Sequence, residues 1–179
     1  MDASSIYQDS LPVSSDTLLQ MLRDVGIEFG LYEHIPLRTV EDAKTVQGND
    51  VPDASDRMNI KNFYLRDKKK RNYLVVLEQD RVVDLAALGR VIGAGKISFG
   101  SADRLMEHLG VRPGAVSPLA MVTGAKKGVR IYLDAVLKNA EWIHAHPLVN
   151  DRTVAIRTDD LENLLSGWSA QVEWIELDG

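Results

Sequence analysis

The chain has no cysteine, which excludes disulfide bonds, thiolate zinc sites and cysteine nucleophiles. This composition fits a cytoplasmic protein. No apolar run approaches the roughly 18 residues that a membrane-spanning helix needs, so we expect no membrane association. No basic residue precedes Arg23, and we therefore expect no signal or transit peptide.

Several signatures of common enzymes are also missing. There is no Gly-x-Ser-x-Gly elbow, which argues against a serine hydrolase. A phosphate-binding loop is absent, and Gly93–Gly95 is too short for a dinucleotide fingerprint. His144 and His146 would share one side of an extended chain and could bind a metal, but no third ligand stands at a diagnostic spacing. We therefore expect neither a metal nor another cofactor.

Positive charge is scarce except in one central segment. The formal net charge is −5, yet residues 61–71 carry six basic side chains and one acidic. Such a cluster in an acidic protein could hold a phosphate backbone locally, with the acidic remainder limiting where the polyanion lies. The alternative is a solvated hairpin tip with a lysine run, which is common.

Hydrophobic periodicity predicts interleaved strands and helices. Ser14 precedes an amphipathic helix that Gly26 ends, and two strands flank the basic turn at 67–72 as a hairpin. The apolar run Tyr73–Leu77 predicts a central strand that is covered on both faces. This order indicates an α/β or α+β fold with a mixed sheet. Further predictions are capping boxes at Thr39–Asp42 and Asp159–Glu162, and strands at Ile27–Tyr32, Lys96–Phe99, Leu119–Val122, Val129–Leu133, Val154–Ile156 and Val172–Leu177.

Lys61 is the first candidate for a functional side chain. Period-2 alternation places Lys61 on one face with Phe63 and Leu65. An ammonium group on such a face must lie at the rim of the sheet or meet an anion, because a desolvated unpaired charge is costly. Lys61 is thus a candidate for holding a phosphate or a developing oxyanion, although lysines at strand ends usually extend to water.

The loop Gly114–Pro118 is the second candidate. Glycine permits close backbone approach, and Pro118 restricts Ser117 to extended conformations. A stiff loop of this kind can present backbone N–H groups at a fixed point, although an ordinary turn has the same pattern. His146, which precedes Pro147, could be a functional imidazole or a local hydrogen-bonding group.

Three segments together resemble one family, in the right order. The YbaK/ProX group consists of free-standing relatives of the editing domain in bacterial prolyl-tRNA synthetases. The resemblance covers about residues 32–172, and it is strongest to the alanyl-tRNA(Pro) deacylases known as ProXp-ala. The segments that carry it are Lys61–Asp67, Leu109–Pro118 and His146–Leu148.

The resemblance implies a single domain over residues 1–179, with a mixed, mainly antiparallel sheet flanked by helices. It implies a trans-editing hydrolase, without metal or cofactor, that cleaves the ester between a mischarged amino acid and the tRNA 3′ end. Alanine on tRNA(Pro) is the expected substrate, prolyl-tRNA synthetase is a candidate partner, and we expect a monomer or a weak homodimer. The implied catalytic residue is Lys61. The implied substrate contacts are Asn62, Gly114, Ala115, Val116, Ser117, Pro118 and His146.

Charge and position add Arg66, Lys68 and Lys96 as candidate tRNA contacts. The chain departs from its relatives at Arg57–Ile60, where a Gly-x-His is usual, and at Thr123–Gly124, where Asn-Asp is frequent. These departures leave alternatives open. One is a deacylase for cysteine, serine or 2-aminobutyrate, and another is a binding module without turnover.

Overall fold

Eight strands form a mixed sheet in the computed structural model, which describes residues 1–37, 39, 41–42 and 56–178. The strand order is β1-β7-β6-β2-β3-β5-β8, and β4 also pairs with β2. Within these residues, four pairings are antiparallel and three are parallel. The sheet is therefore mixed, as the sequence predicted, and mainly antiparallel, as the resemblance implied. The strands are β1 Phe29–Glu33, β2 Arg57–Asp67, β3 Asn72–Glu78, β4 Ile97–Phe99, β5 Arg130–Asp134, β6 Trp142–Ala145, β7 Arg152–Arg157 and β8 Gln171–Ile175.

Helices pack around this sheet, and three of those in the described residues start at a side-chain cap. Ser14, Asp84 and Ser101 each accept a hydrogen bond from a backbone N–H of the first turn that follows them. The helices whose full bounds lie in the described residues are α1 Ser15–Asp24, α2 Leu85–Val91, α3 Ala102–Leu109, α4 Met121–Gly124 and α5 Thr158–Gly167. Among the described residues, no helix is long and apolar enough to cross a membrane.

The predicted hairpin is confirmed, and it forms the centre of the sheet. β2 and β3 pair antiparallel from Ile60 opposite Glu78 to Arg66 opposite Asn72. Residues Tyr73–Leu77 of β3 are at most 1% exposed, because one apolar cluster covers each face of the strand. Burial on both faces explains why this segment of sequence is continuously apolar.

Two sequence predictions of local structure are wrong. Leu119–Val122 is helical, because the Ser117 hydroxyl caps the N–H of Leu119 and Pro118 occupies the first helical position. α5 begins at Thr158, before the predicted capping box, and its N-cap residue Arg157 makes no side-chain capping bond. The Thr158 hydroxyl donates instead to the carbonyl of Ala140.

The capping contacts predicted at Thr39 are present. The N–H of Asp42 donates to the Thr39 hydroxyl at 3.0 Å, and the N–H of Thr39 donates to the Asp42 carboxylate at 3.1 Å. The body of the short helix predicted to follow lies outside the described residues.

Candidate functional site

A cavity of about 380 Å³ lies beside an open stretch of β2. One edge of β2 pairs with β3, and the opposite edge pairs with β6 at Arg57–Asn59 and with β4 at Leu65–Asp67. Between these two ladders, no strand in the described part of the chain pairs with this edge. The cavity is lined by Ile60–Phe63 of this interval, together with residues of β6 and of the Gly114–Pro118 loop.

Lys61 lines the cavity, and its ammonium group is hydrogen-bonded to the segment that follows β3. Its Nζ donates a hydrogen bond to the backbone carbonyl of Arg81 and lies 5.9 Å from the ring centroid of Phe63. The Arg81 guanidinium is itself fixed, because its Nε lies 2.5 Å from Oδ2 of Asp134. The Asp134 side chain is only 1% exposed. A buried carboxylate thus anchors the residue whose carbonyl holds the Lys61 ammonium.

The Gly114–Pro118 loop forms the wall facing β2. Gly114 has a φ of +95°, and a Cβ there would lie 3.3 Å from the Asn150 amide nitrogen. Both facts favour glycine at this position. The Asn62 side chain donates to the Val116 carbonyl at 3.0 Å, which ties the loop to the strand.

Only part of this loop reaches the cavity. Gly114 and Val116 line it, whereas the side chains of Ala115, Ser117 and Pro118 are buried behind it. A ligand in the cavity would therefore not contact these three side chains directly. Their burial fixes the backbone of the loop.

The histidines at the end of β6 contribute neutral imidazoles to the cavity. Burial lowers the pKa of His146, and its Nδ1 lies 2.7 Å from the carbonyl of Arg152. A carbonyl can only accept, so Nδ1–H donates and Nε2 is left as an acceptor. Burial, and secondarily the charge of Arg57, lower the pKa of His144 to about 4. Both rings are therefore uncharged at neutral pH.

The site can bind an anion and polarise a carbonyl. Among its described lining residues it has one cationic side chain, Lys61, and no carboxylate. The apolar part of the wall comes from Leu37, Ile60, Phe63, Val116 and Ala145. Within the described chain, no three His, Asp or Glu side chains are grouped as metal ligands would be. Fixed donors next to an apolar wall suit an ester or amide ligand that bears a negative group.

The predicted tRNA-contacting residues lie toward the far end of β2. Arg66 is opposite Ser98 of β4, Lys68 is exposed in the hairpin turn, and Lys96 is exposed immediately before β4. Arg71 differs from its neighbours in the basic cluster, because its guanidinium pairs with the buried Asp67 carboxylate at 2.6 Å. The exposed charge of the hairpin tip therefore comes from its lysines.

Sequence reasoning did not identify Arg81 or Asp134 as part of the site. Asp134 also accepts from the N–H of Val136, so the sequence shows only a residue that caps a helical turn. Its ion pair joins positions 53 residues apart, and no local pattern signals it.

Comparisons with known proteins agree with this geometry. The pattern of the aminoacyl-tRNA editing domain family matches residues 34–164. The prolyl-tRNA editing protein ProX of Acetoanaerobium sticklandii is 32% identical over 165 residues, spanning 92% of this chain and 98% of that protein. The prolyl-tRNA synthetase associated domain-containing protein 1 of Danio rerio is 34% identical over 152 residues, covering 83% of this chain and 79% of that protein.

The fold also matches a solved structure. A crystal structure of a candidate trans-editing enzyme for prolyl-tRNA synthetase superposes with a TM-score of 0.64 at 21% identity, covering 92% of this chain and 98% of that one. The match to the family model and the 32% identity to ProX show that the chain belongs to the aminoacyl-tRNA editing domain family.

Proposed function

We propose that the protein is a trans-editing aminoacyl-tRNA deacylase that removes alanine from mischarged tRNA(Pro). The observation that carries this proposal is the meeting of Lys61, the Gly114–Val116 backbone and two neutral imidazoles around one cavity at the open edge of β2. Membership of the editing family supports the reaction class, and the resemblance to alanyl-tRNA(Pro) deacylases supports the substrate.

Substrate binding follows from the charges and shape of the cavity. The Lys61 ammonium would pair with a phosphate at the 3′ end of the tRNA, and the Arg81 carbonyl keeps it in place. The methyl group of alanine would lie against the apolar wall that includes Ile60 and Val116. A further methylene is worth only about 1–3 kcal/mol in such a pocket. 2-Aminobutyrate is therefore the closest competing substrate.

The chemical step is addition of water to the ester carbonyl. The backbone N–H groups of Gly114 and Val116, which line the cavity, would stabilise the tetrahedral oxyanion, whereas the N–H of Ala115 already donates to the carbonyl of Arg112. The bond between the carbonyl carbon and the ribose oxygen then breaks, the ribose oxygen takes a proton, and free alanine leaves. We assign orientation of the water to a ribose hydroxyl of the substrate. Neutral His146 contributes a hydrogen-bond acceptor through Nε2.

Contacts to the tRNA body are assigned to Arg66, Lys68 and Lys96. Charge reversal of Arg66 and Lys96 to Glu should weaken tRNA binding and flatten its dependence on salt, because fewer counterions are then released. Lys126→Glu together with Lys127→Glu changes the net charge by the same amount at two exposed lysines of a different segment, and this double variant provides the matched control. Unchanged affinity and salt slope in the variant reversed at Arg66 and Lys96 would remove these residues from the interface.

The proposed substrate makes prolyl-tRNA synthetase a natural partner, since it generates the mischarged tRNA. We further propose a cytoplasmic, single-domain protein that acts as a monomer or a weak homodimer. Co-sedimentation with the synthetase in the presence of tRNA would test the association. Analytical ultracentrifugation of the protein alone would test the oligomeric state.

A panel of mischarged tRNAs tests the activity and its selectivity together. Alanyl-, 2-aminobutyryl-, seryl-, cysteinyl- and prolyl-tRNA(Pro) are each incubated with the protein, and loss of the aminoacyl ester is followed. We expect alanyl-tRNA(Pro) to be hydrolysed fastest and prolyl-tRNA(Pro) to be spared. Faster hydrolysis of another ester would reassign the substrate. Binding of tRNA without hydrolysis of any member would support a binding module instead.

A further inference from the structure

Phe99 is an aromatic side chain left exposed beside the candidate site. It ends the short strand β4 and is 57% exposed. Its antiparallel register places it opposite Leu65, so it shares a face of the sheet with Lys61 and Phe63. On this face Leu65 is fully buried and Phe63 is partly buried, whereas Phe99 extends outward into solvent.

The Phe99 ring connects this exposed surface to the cavity. Its centroid lies 5.2 Å from that of Phe63, with the two planes at 79°. An edge-to-face pair uses one face of only one ring, so this contact leaves at least one face of the Phe99 ring uncovered by Phe63. Phe63 lines the cavity and has the Lys61 ammonium 5.9 Å from its centroid. The aromatic pair therefore lies next to the fixed cation of the site.

Positive charge surrounds the same strand. Lys96 is exposed immediately before β4. Arg66 is opposite the middle residue of β4, Ser98, and by alternation it lies on the other face of the sheet from Phe99. The exposed lysines 68–70 follow β2 directly. A flat apolar surface near cations suits an unpaired nucleobase, because the base can stack on the ring while the cations attract the phosphates on either side of it. An apolar protein surface would leave these cations unmatched.

We propose that Phe99, supported by Phe63, is a stacking platform for an unpaired nucleobase of the strand whose terminal nucleotide enters the cavity. The proposal rests on the proposed function, because the aminoacylated end of tRNA is single-stranded. It assigns the bases before the terminal adenosine to the β4 surface and the ester to the cavity.

The test uses a short single-stranded RNA ending in CCA, with fluorescent 2-aminopurine in place of the penultimate base. Stacking quenches this fluorophore, and the RNA carries no ester, so turnover plays no part. Phe99→Leu keeps an apolar side chain but has no π face, and we expect its affinity to fall roughly 5- to 100-fold with loss of the quench. Phe99→Trp should restore both. Val91→Ala, at another exposed apolar position, should change neither.

Wild-type affinity and quench in Phe99→Leu would overturn the proposal, and so would the absence of any quench with the wild-type protein. Loss of affinity without loss of quench would also overturn it, because the contact would then be apolar without stacking. Ester hydrolysis is measured separately. Hydrolysis without a quench removes the platform but keeps the deacylase, whereas a Phe99-dependent quench without hydrolysis keeps the platform and removes the deacylase.

Discussion

Replacing Asp134 with Asn should impair both the stability and the activity of the protein. The Asp134 side chain is 1% exposed and pairs with Arg81, whose side chain is 15% exposed. Breaking a buried ion pair costs about 3–5 kcal/mol when one charge is left unpaired. The loss should be smaller for Asp134→Asn, because the amide oxygen can still accept a hydrogen bond from the N–H of Val136. We therefore expect the free energy of unfolding to fall by about 2–3 kcal/mol, close to the value of hydrogen bonds to charged groups. A released Arg81 would also hold Lys61 less firmly.

Urea unfolding of the single variants Asp134→Asn and Arg81→Met, and of the double variant, measures this coupling. The two effects should be strongly non-additive, because each variant removes the same interaction. Asp84→Asn is the matched control. Asp84 also caps a helical segment, but it is exposed, so its substitution should change stability by less than about 1 kcal/mol. Additivity within about 0.5 kcal/mol would refute the reasoning.

Three further predictions concern the cavity wall. Gly114→Ala should lower stability by about 1–3 kcal/mol in thermal unfolding, because φ is +95° there, and an unchanged Tm would contradict this. The fold lowers the pKa of His144 to about 4, so the unfolded chain binds the proton at a higher pH than the folded chain does. The free energy of unfolding should therefore fall by about 3 kcal/mol as the pH is lowered from 6.5 to 4. His144→Gln should remove that component from the pH dependence of urea unfolding, and an identical profile would exclude it. Asn62→Ala frees the Val116 carbonyl and should reduce the deacylation rate more than the affinity for uncharged tRNA. Equal losses in both would count against a role in positioning the loop.

Local sequence signals predicted the elements that depend on local chemistry. The cap and the apolar spacing identified α1, and the continuous apolar run identified β3 as a central strand. β6 carried no such signal, because it has only four residues and forms by pairing with β7, which follows it, and with β2, which lies far earlier in the chain. The strand predicted at Leu119–Val122 is wrong, because a run of four apolar residues fits a buried helix as well as a strand.

The candidate site could be anticipated only in part. Lys61, Gly114, Val116 and His146 were chosen from the sequence, and the fold brings them around one cavity. The burial of the other residues of the loop could not be read from its sequence, since alternation fails in irregular backbone. The catalytic and binding roles of these residues stay predictions.

The most direct test of the account is the release of alanine from alanyl-tRNA(Pro) by the wild-type protein and by Lys61→Ala. The account predicts hydrolysis well above the spontaneous rate, with prolyl-tRNA(Pro) left intact. Lys61→Ala should be roughly 100-fold slower, because loss of the phosphate contact no longer holds the ester in position beside the loop that stabilises the oxyanion. Wild-type hydrolysis at the spontaneous rate would contradict the proposed activity, and a Lys61→Ala variant as fast as the wild type would contradict the mechanism.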